Sequence, residues 1–328
     1  MIVVISHPAD LHAQRVIERL TAWGCETFLF DLADLPADLT LTIDFAQPTA
    51  PRPILVHSRE GEIDLSRATA AWWRRPQFAR LGQIASDDAR GFAYGEWHEA
   101  LHGLYSLLDC PWMNPPQADE RASHKALQLQ VASSLGMRVP DTLMTSDPGR
   151  ARAFIERHGP EMTVYKIFAA TAQVWRETRV VGEAEFALLE TVRLSPVIFQ
   201  ERIPAVADIR VTIVGDQIYP MSIDSRHTGY DVDFRLNMAD ARTSATEIPD
   251  ELTAALLGLM ERLGIVYGAA DFRLTPEGEY VFLEINPAGE FLFVEYGAGH
   301  PITDAVAGWL AAPPRRAATP GLAAPPDP

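Results

Sequence analysis

The sequence predicts a protein of mixed α/β and α+β class built as three domains, and three observations predict it. The chain opens with a strand–helix–strand pattern suited to parallel pairing. A rigid proline-rich segment, Pro111-Trp-Met-Asn-Pro-Pro116, interrupts it well before the midpoint. Near the far end, two alternating strands flank a tight turn and carry Asp271, Glu284 and Asn286. At 328 residues the chain also exceeds one comfortable core. The expected division is an N-terminal α/β domain over 1–115, a small central domain over 116–200 and a C-terminal domain over 201–312. Residues 313–328, Ala/Pro-rich and without periodicity, are expected to form a disordered tail.

The first strand is the apolar run Ile2-Val-Val-Ile5. Residues 10–23 follow as a helix, because Val16, Ile17, Leu20 and Trp23 recur at helical spacing and Gly24 stops it. Thr27-Phe-Leu-Phe30 is the second strand. No G-x-G-x-x-G follows strand one, where His7-Pro8 stands instead, so a dinucleotide site is not expected. Residues 37–70 read as irregular strands and turns, and 91–108 as a helix. After the proline segment, a helix over 118–135 carries Lys125 and ends at Gly136. Strands over 163–168 and 173–181, a helix near 183–191 and the strand Val197-Ile-Phe-Gln-Glu201 make up the central domain. The C-terminal domain then shows a hairpin of 209–214 with 218–222, turned at Gly215-Asp216, and a helix over 250–263.

Composition narrows the function. A net charge of −16 argues against nucleic-acid binding, since backbone phosphates would be repelled. It leaves room for an acidic ligand in a locally basic cleft. Arg74 and Arg75 in Trp72-Trp-Arg-Arg-Pro76, with Arg210, Arg226, Arg235 and Arg273, are the candidates to line one. Ordinary surface arginines are the plainer account of any single member. Cys25 and Cys110 are too few for a disulfide framework and fit a reducing cytoplasm. There is no signal-peptide h-region, and no apolar run approaches about 18 residues, so a cytoplasmic protein that spans no membrane is expected.

Chemistry concentrates in the last hairpin. Side chains alternate faces along a strand, so Glu284 and Asn286 point the same way, with Leu283 and Ile285 expected on the packed side. The Thr275-Pro-Glu-Gly278 turn folds Asp271 back beside Glu284. Two carboxylates and one amide oxygen converge there, a hard-oxygen set suited to Mg²⁺ held against nucleotide phosphates. An edge hairpin with an acidic solvent face is the simpler alternative. Lys166 lies inside the apolar Val164-Tyr-Lys-Ile-Phe168, where a buried ammonium calls for an anion unless the lysine reaches solvent at a strand edge. Glu201 closes its strand at an inter-domain crossover, either to hydrogen-bond adenine and ribose or simply to end the strand. Asp208-Ile-Arg210 alternates with a core face of Ile209, Val211 and Ile213, so an arginine fork aimed at phosphate competes with a surface Asp–Arg pair. Asp233-Phe-Arg235-Leu-Asn237 adds another guanidinium and an amide.

The order Lys, Lys, Glu, Asp-x-Arg, Arg-x-Asn, Asp, Glu-x-Asn resembles the ATP-grasp ligases, which clamp ATP between two α+β domains and make an acyl phosphate. Within that superfamily the chain is most similar to the graspetide (microviridin-type) peptide macrocyclases and is also similar to the ribosomal-protein glutamate ligases. Trp72-Trp-Arg-Arg-Pro76 and Asn286-Pro-Ala-Gly-Glu-Phe291 favour the macrocyclase branch. The resemblance implies a three-domain ATP-grasp architecture, with a pre-ATP-grasp domain first. It implies that Lys125 and Lys166 contact ATP phosphates, Glu201 lies at the adenine–ribose hinge and Asp208 near the ribose. Arg210 and Arg235 would hold phosphoryl and acyl-phosphate oxygens beside Asn237, and Asp271, Glu284 and Asn286 would bind Mg²⁺, two ions being expected. The implied partner is a ribosomal precursor peptide with a leader and an acidic core, gathered by Arg74, Arg75, Arg226 and Arg273. The leader is expected near residues 170–195, and homodimerisation is compatible with the family. A ligase adding free amino acids to a peptide or protein terminus is the runner-up. Phe168-Ala-Ala-Thr-Ala-Gln173 lacks the glycine-rich flap of many relatives, and Glu290-Phe291 stands where many macrocyclases have Gln-Trp, which marks a subgroup with a different acceptor pocket.

Overall fold

A computed structural model describes residues 1–45, 53–59, 61–168, 177–224 and 241–314. These fall into two compact units, one of Met1–Pro116 with the residues from Pro301 onward, the other Gln117–His300.

The first unit is built on a parallel sheet. Strands β1 (Ile2–Ile5), β2 (Thr27–Phe30), β6 (Ala70–Trp73) and β7 (Trp112–Met113) lie in the order β2-β1-β6-β7. Helix α1 (Leu11–Ala22) begins at Asp10, whose carboxylate accepts the His12 N–H at 3.0 Å and so satisfies one orphan donor of the first turn. The described part of 37–70 is more regular than its sequence suggests. It contains an antiparallel meander of β3 (Thr40–Ile43), β4 (Ile54–Ser58) and β5 (Gly61–Asp64). Helix α2 (Asp87–Leu107) is capped by Ser86 and is buried chiefly in its last turns, through Leu101, Leu104 and Tyr105.

Two expectations change here. The proline segment is not merely a linker: Trp112 and Met113 are buried and pair in parallel with Ala71 and Trp72. The last helix, α9 (Ile302–Ala311), packs on α1 and β6, tied by Arg19 Nε to Asp304 Oδ1 at 2.7 Å. A C-terminal domain ending at 312 therefore cedes this helix to the first unit. The cause is its apolar face of Ile302, Val306, Ala307 and Leu310, all buried.

The second unit holds two antiparallel sheets. The smaller, ordered β10-β9-β11-β8, contains β8 (Thr142–Thr145), β9 (Thr163–Lys166), β10 (Arg179–Val180) and β11 (Val197–Glu201). Helices α5 (Pro148–His158) and α6 (Glu183–Ala187) accompany it. Phe154, Ile155 and Phe199 are the centre of that core, with Leu143, Tyr165 and Phe186 packed around them. The larger sheet, ordered β14-β13-β12-β15-β16, comprises β12 (Ala207–Val214), β13 (Gln217–Asp224), β14 (Arg242–Ala245), β15 (Tyr267–Leu274) and β16 (Tyr280–Asn286). Gly215, at φ 63°, makes the β12–β13 turn.

The expected 118–135 helix is two: α3 (Pro116–Ala122) and α4 (Lys125–Ser134), broken at Ser123-His124. Helix α4 joins α7 (Asp250–Leu263) against one face of the larger sheet, where Ile209, Val211, Phe272 and Ile285 are buried. Short helix α8 (Leu292–Ala298) follows β16 and packs on β13 and β14.

Candidate active site

The larger sheet has one greasy face and one charged face, and strand parity assigns every candidate to one or the other. Ile209, Val211 and Ile213 enter the core, so Asp208 and Arg210 share the opposite side. Antiparallel register sets Asp208 against Arg273 and Arg210 against Asp271. Each strand carries Asp-x-Arg, and reversing one against the other puts every acid opposite a base. Arg210 Nη1 donates to Asp271 Oδ2 at 2.7 Å, and Arg273 Nη1 to Asp208 Oδ1 at 3.0 Å. Arg273 Nε also donates to the Ile203 carbonyl at 3.2 Å, which anchors the segment leaving β11. Its buried guanidinium thus holds that segment and is not part of an exposed peptide-binding surface.

A β-bulge then turns the metal-type ligands. Asp271 lies opposite Glu284 and Ala269 opposite Asn286, yet Phe272 lies opposite Phe282, which leaves Leu283 as the extra residue. Without that insertion Phe282 and Glu284 would share a face. With it, Phe282 and Ile285 are both buried in the core while Glu284 and Asn286 face the charged side. Leu283 is not on the packed side with Ile285 as its spacing suggested. It lines a cavity with Lys166, Glu201 and Arg273.

Splitting the helix puts Lys125 at the first position of α4, where its ammonium pairs with the Glu284 carboxylate. Gln128, one turn on and 2% exposed, donates from Nε2 to the Ile285 carbonyl at 2.8 Å and accepts the Ile285 N–H at 3.0 Å. Its amide mimics a neighbouring strand for the edge of β16, fixing the peptide unit between Glu284 and Asn286. Sequence reading missed Gln128, and its one signal is a polar residue at a helix position whose neighbours pack inward.

The chain after β16 is pinned against Arg210. Asn286 Oδ1 accepts the Ala288 N–H at 2.9 Å, Tyr267 donates to the Gly289 carbonyl at 2.7 Å, and Arg210 Nη2 donates to the Glu290 carbonyl at 3.2 Å. A Cβ on Gly289 would sit 2.5 Å from the Ala269 Cβ and 2.8 Å from Arg210 Nη2, so only glycine lets the loop pass this close. Phe291 is buried edge-on to Tyr267, which makes it core rather than the wall of an acceptor pocket.

In the smaller sheet Lys166 stands on β9, an inner strand, not an edge. Glu201 reaches the cavity from the end of β11, its Oε2 accepting the Asp141 N–H at 3.2 Å. The N-terminal arginines divide: Arg74 is 1% exposed and ion-paired to Asp10, whereas Arg75 is exposed. Arg74 therefore cannot offer a guanidinium to a peptide, because Asp10 holds it inside the first unit. Burial pushes the Asp10 carboxyl up, but Arg74, Ser6 and His12 more than offset this and keep it below the usual range. Arg226, Arg235, Asn237 and residues 169–173 lie outside the described residues, as does the tail from 315.

Known proteins share this fold. A family model described as the MvdD pre-ATP grasp domain matches residues 1–120. The chain superposes with a TM-score of 0.83 on the macrocyclase MdnC bound with precursor peptide MdnA from Microcystis aeruginosa MRC, at 28% identity, covering 94% of this chain and 98% of that one. A Chryseobacterium gregarium RiPP-associated ATP-grasp ligase, in complex with ADP and a leader and core peptide, gives 0.85 at 28% identity over 94% and 96%. The chain has the ATP-grasp fold and is an ATP-dependent ligase. The ligase PsnB, complexed with minimal precursor, Mg and ADP, matches at 0.75 and 25% identity over 95% and 97%. No curated protein matches the chain. Among the described residues no helix is long and apolar enough to cross a membrane.

The residues fit the nucleotide and cation that this ligase class employs. Asp271 pairs with Arg210 and Glu284 with Lys125, and their carboxylate oxygens are of the donor type that suits a hard metal. Among the described residues no three His, Cys, Asp or Glu cluster, and Asn286 stands on the same side of the sheet as Glu284. Arg210 Nε is buried without a hydrogen-bond partner among the described residues, a donor suited to a phosphoryl oxygen.

Proposed function

We propose that this ligase joins an Asp or Glu side chain of a ribosomally made precursor peptide to a Lys, Ser or Thr side chain, closing amide or ester macrocycles. One observation carries it: Arg210, Asp271, Glu284 and Asn286 share the charged face of one sheet, with the Lys125 ammonium paired to it. The likeness to enzymes solved with precursor peptides supports the substrate class.

A carboxylate does not condense with an amine or alcohol unaided, because oxide is too poor a leaving group. ATP supplies the phosphoryl group that makes it an acyl phosphate, and Mg²⁺ neutralises the charge that gathers. Asp271, Glu284 and Asn286 would hold the cation, for which two ions are expected. Lys125 and Lys166 would bind phosphate oxygens, and Arg210, with Arg235 and Asn237, the transferring group. Glu201 and Asp208 would border adenine and ribose. Positioning and electrostatics supply most of the acceleration, so no nucleophile of the enzyme is required.

Arg75 and Arg226 would meet the acidic core peptide, and the surface near 170–195 the leader. We further propose a cytoplasmic enzyme acting as a homodimer on peptide, not nucleic acid. Incubating enzyme with precursor, ATP and Mg²⁺ should remove one water mass per link while releasing ADP. A mass gain of one added amino acid would instead establish terminus extension, and ADP release indifferent to peptide would overturn the peptide substrate.

A further inference from the structure

Arg210 is steered from two directions, and only one of them is hydrogen bonding. Its Nη1 donates to Asp271 and its Nη2 to the Glu290 carbonyl. The N–H groups of a guanidinium lie in its plane, so these two bonds leave the plane free to rock about the line between them. The ring of Phe293 lies over the guanidinium carbon, its centroid 5.7 Å away, and opposes that motion. Phe293 is half-buried, and its neighbours Leu292 and Val294 are buried.

Helix α8 is anchored on both sides of this ring. Ahead of it, Phe291 is buried against Tyr267, and its carbonyl accepts the Glu295 N–H at 2.8 Å. Beyond it, a Cβ on Gly297 would sit 2.7 Å from Thr243 Oγ1 and 3.1 Å from Met221 Sδ, so the helix rests directly on β13 and β14. Met221 lies opposite Arg210 in the sheet, which keeps α8 over the row that carries this arginine. Resting on the ligase reading proposed above, we infer that Phe293 is a positioning residue for phosphoryl transfer. Its ring sets the tilt of Arg210, and so the direction of Nε–H, the buried donor without a hydrogen-bond partner among the described residues. The negative face of the ring also stabilises the guanidinium charge where little water reaches it.

Ring fluorination separates this role from packing, because fluorine drains the π face while hardly changing the size of the ring. The full chain carrying 4-fluoro-, 3,5-difluoro- or 3,4,5-trifluorophenylalanine at position 293 is titrated, with Mg²⁺, against ADP and against β,γ-imido-ATP. The ratio of the two affinities isolates what holds the terminal phosphoryl group. That ratio should shrink stepwise, by roughly three- to tenfold at three fluorines, while ADP affinity and melting temperature stay constant. Phe293→Leu, apolar but without a ring, should shrink it at least as far. A ratio that ignores fluorination, or one that falls only together with ADP affinity or melting temperature, overturns the assignment. Arg210→Lys tells the two readings apart. If it shrinks the ratio while fluorination does not, Arg210 keeps its place and Phe293 alone loses its role. If Arg210→Lys leaves the ratio intact, or the unaltered chain binds neither nucleotide, the phosphoryl-binding reading fails and Phe293 with it.

Discussion

Two buried arginines in this chain lead different lives. Arg74, in the first unit, sits against Asp10 with both side chains at 1–2% exposure, and Ser6 donates to the same carboxylate at 2.9 Å. Arg210, in the second unit, sits against Asp271 with 7% and 13% exposed, and the neighbouring Lys125–Glu284 pair is open to 21% and 23%. The sealed pair is part of the fold, since separating it strands a charge in a low-dielectric interior. The partly open pairs leave Asp271 and Glu284 where solvent reaches them, and on the function proposed above a bound cation would exchange one partner for another there. Accessibility, not pairing, separates structural charge from chemical charge here.

The comparison can be broken in graded steps. Arg74→Ala should destabilise the first unit by about 3–5 kcal/mol in chemical denaturation, because it leaves Asp10 buried and unpaired. ADP release at folding-permissive temperature should still occur if the charge is purely structural. Glu284→Gln should do the reverse, cutting ligation on the order of 10²–10³-fold with little change in melting temperature, in keeping with the loss of one electrostatic contact at a reacting centre. A melting temperature that collapses in Glu284→Gln would erase the distinction between the two regions. Gln128→Leu should cost about 1–3 kcal/mol, the penalty of leaving a buried peptide group unsatisfied, and should weaken Mg²⁺ binding as well. The gentlest probe is acid. Asp10 is held below its usual value of 3.8, so its stabilisation is complete above that pH and is lost as pH falls through the lower folded value. Melting temperature should therefore drop below about pH 4 more steeply in the unaltered chain than in Asp10→Asn, and parallel curves would remove Asp10 from the account.

Much of this was readable beforehand. The strands at 2–5, 27–30 and 197–201 and the helix at 250–263 are where their apolar periods put them. The last hairpin sets Asp271 opposite Glu284, as its turn residues demand. Val281-Phe-Leu283 hid the bulge, because three apolar residues in succession give no period to follow. Trp112-Met113 was obscured by its flanking prolines, and the helix start at Lys125 by an apolar pattern that runs through the break between α3 and α4.

The sequence by itself determined which segments are strands and helices, and which residues share a face over a few positions, because periodicity and turn chemistry are local. Only the tertiary structure decided that Leu283 faces the cavity, that Gln128 seals the strand edge and that Asp10 owns Arg74. Those outcomes depend on partners such as Lys125 and Glu284, 159 residues apart, or Arg210 and Asp271, 61 apart. A charge reads the same in a sequence whether sealed or open, and only packing fixes how much water reaches it.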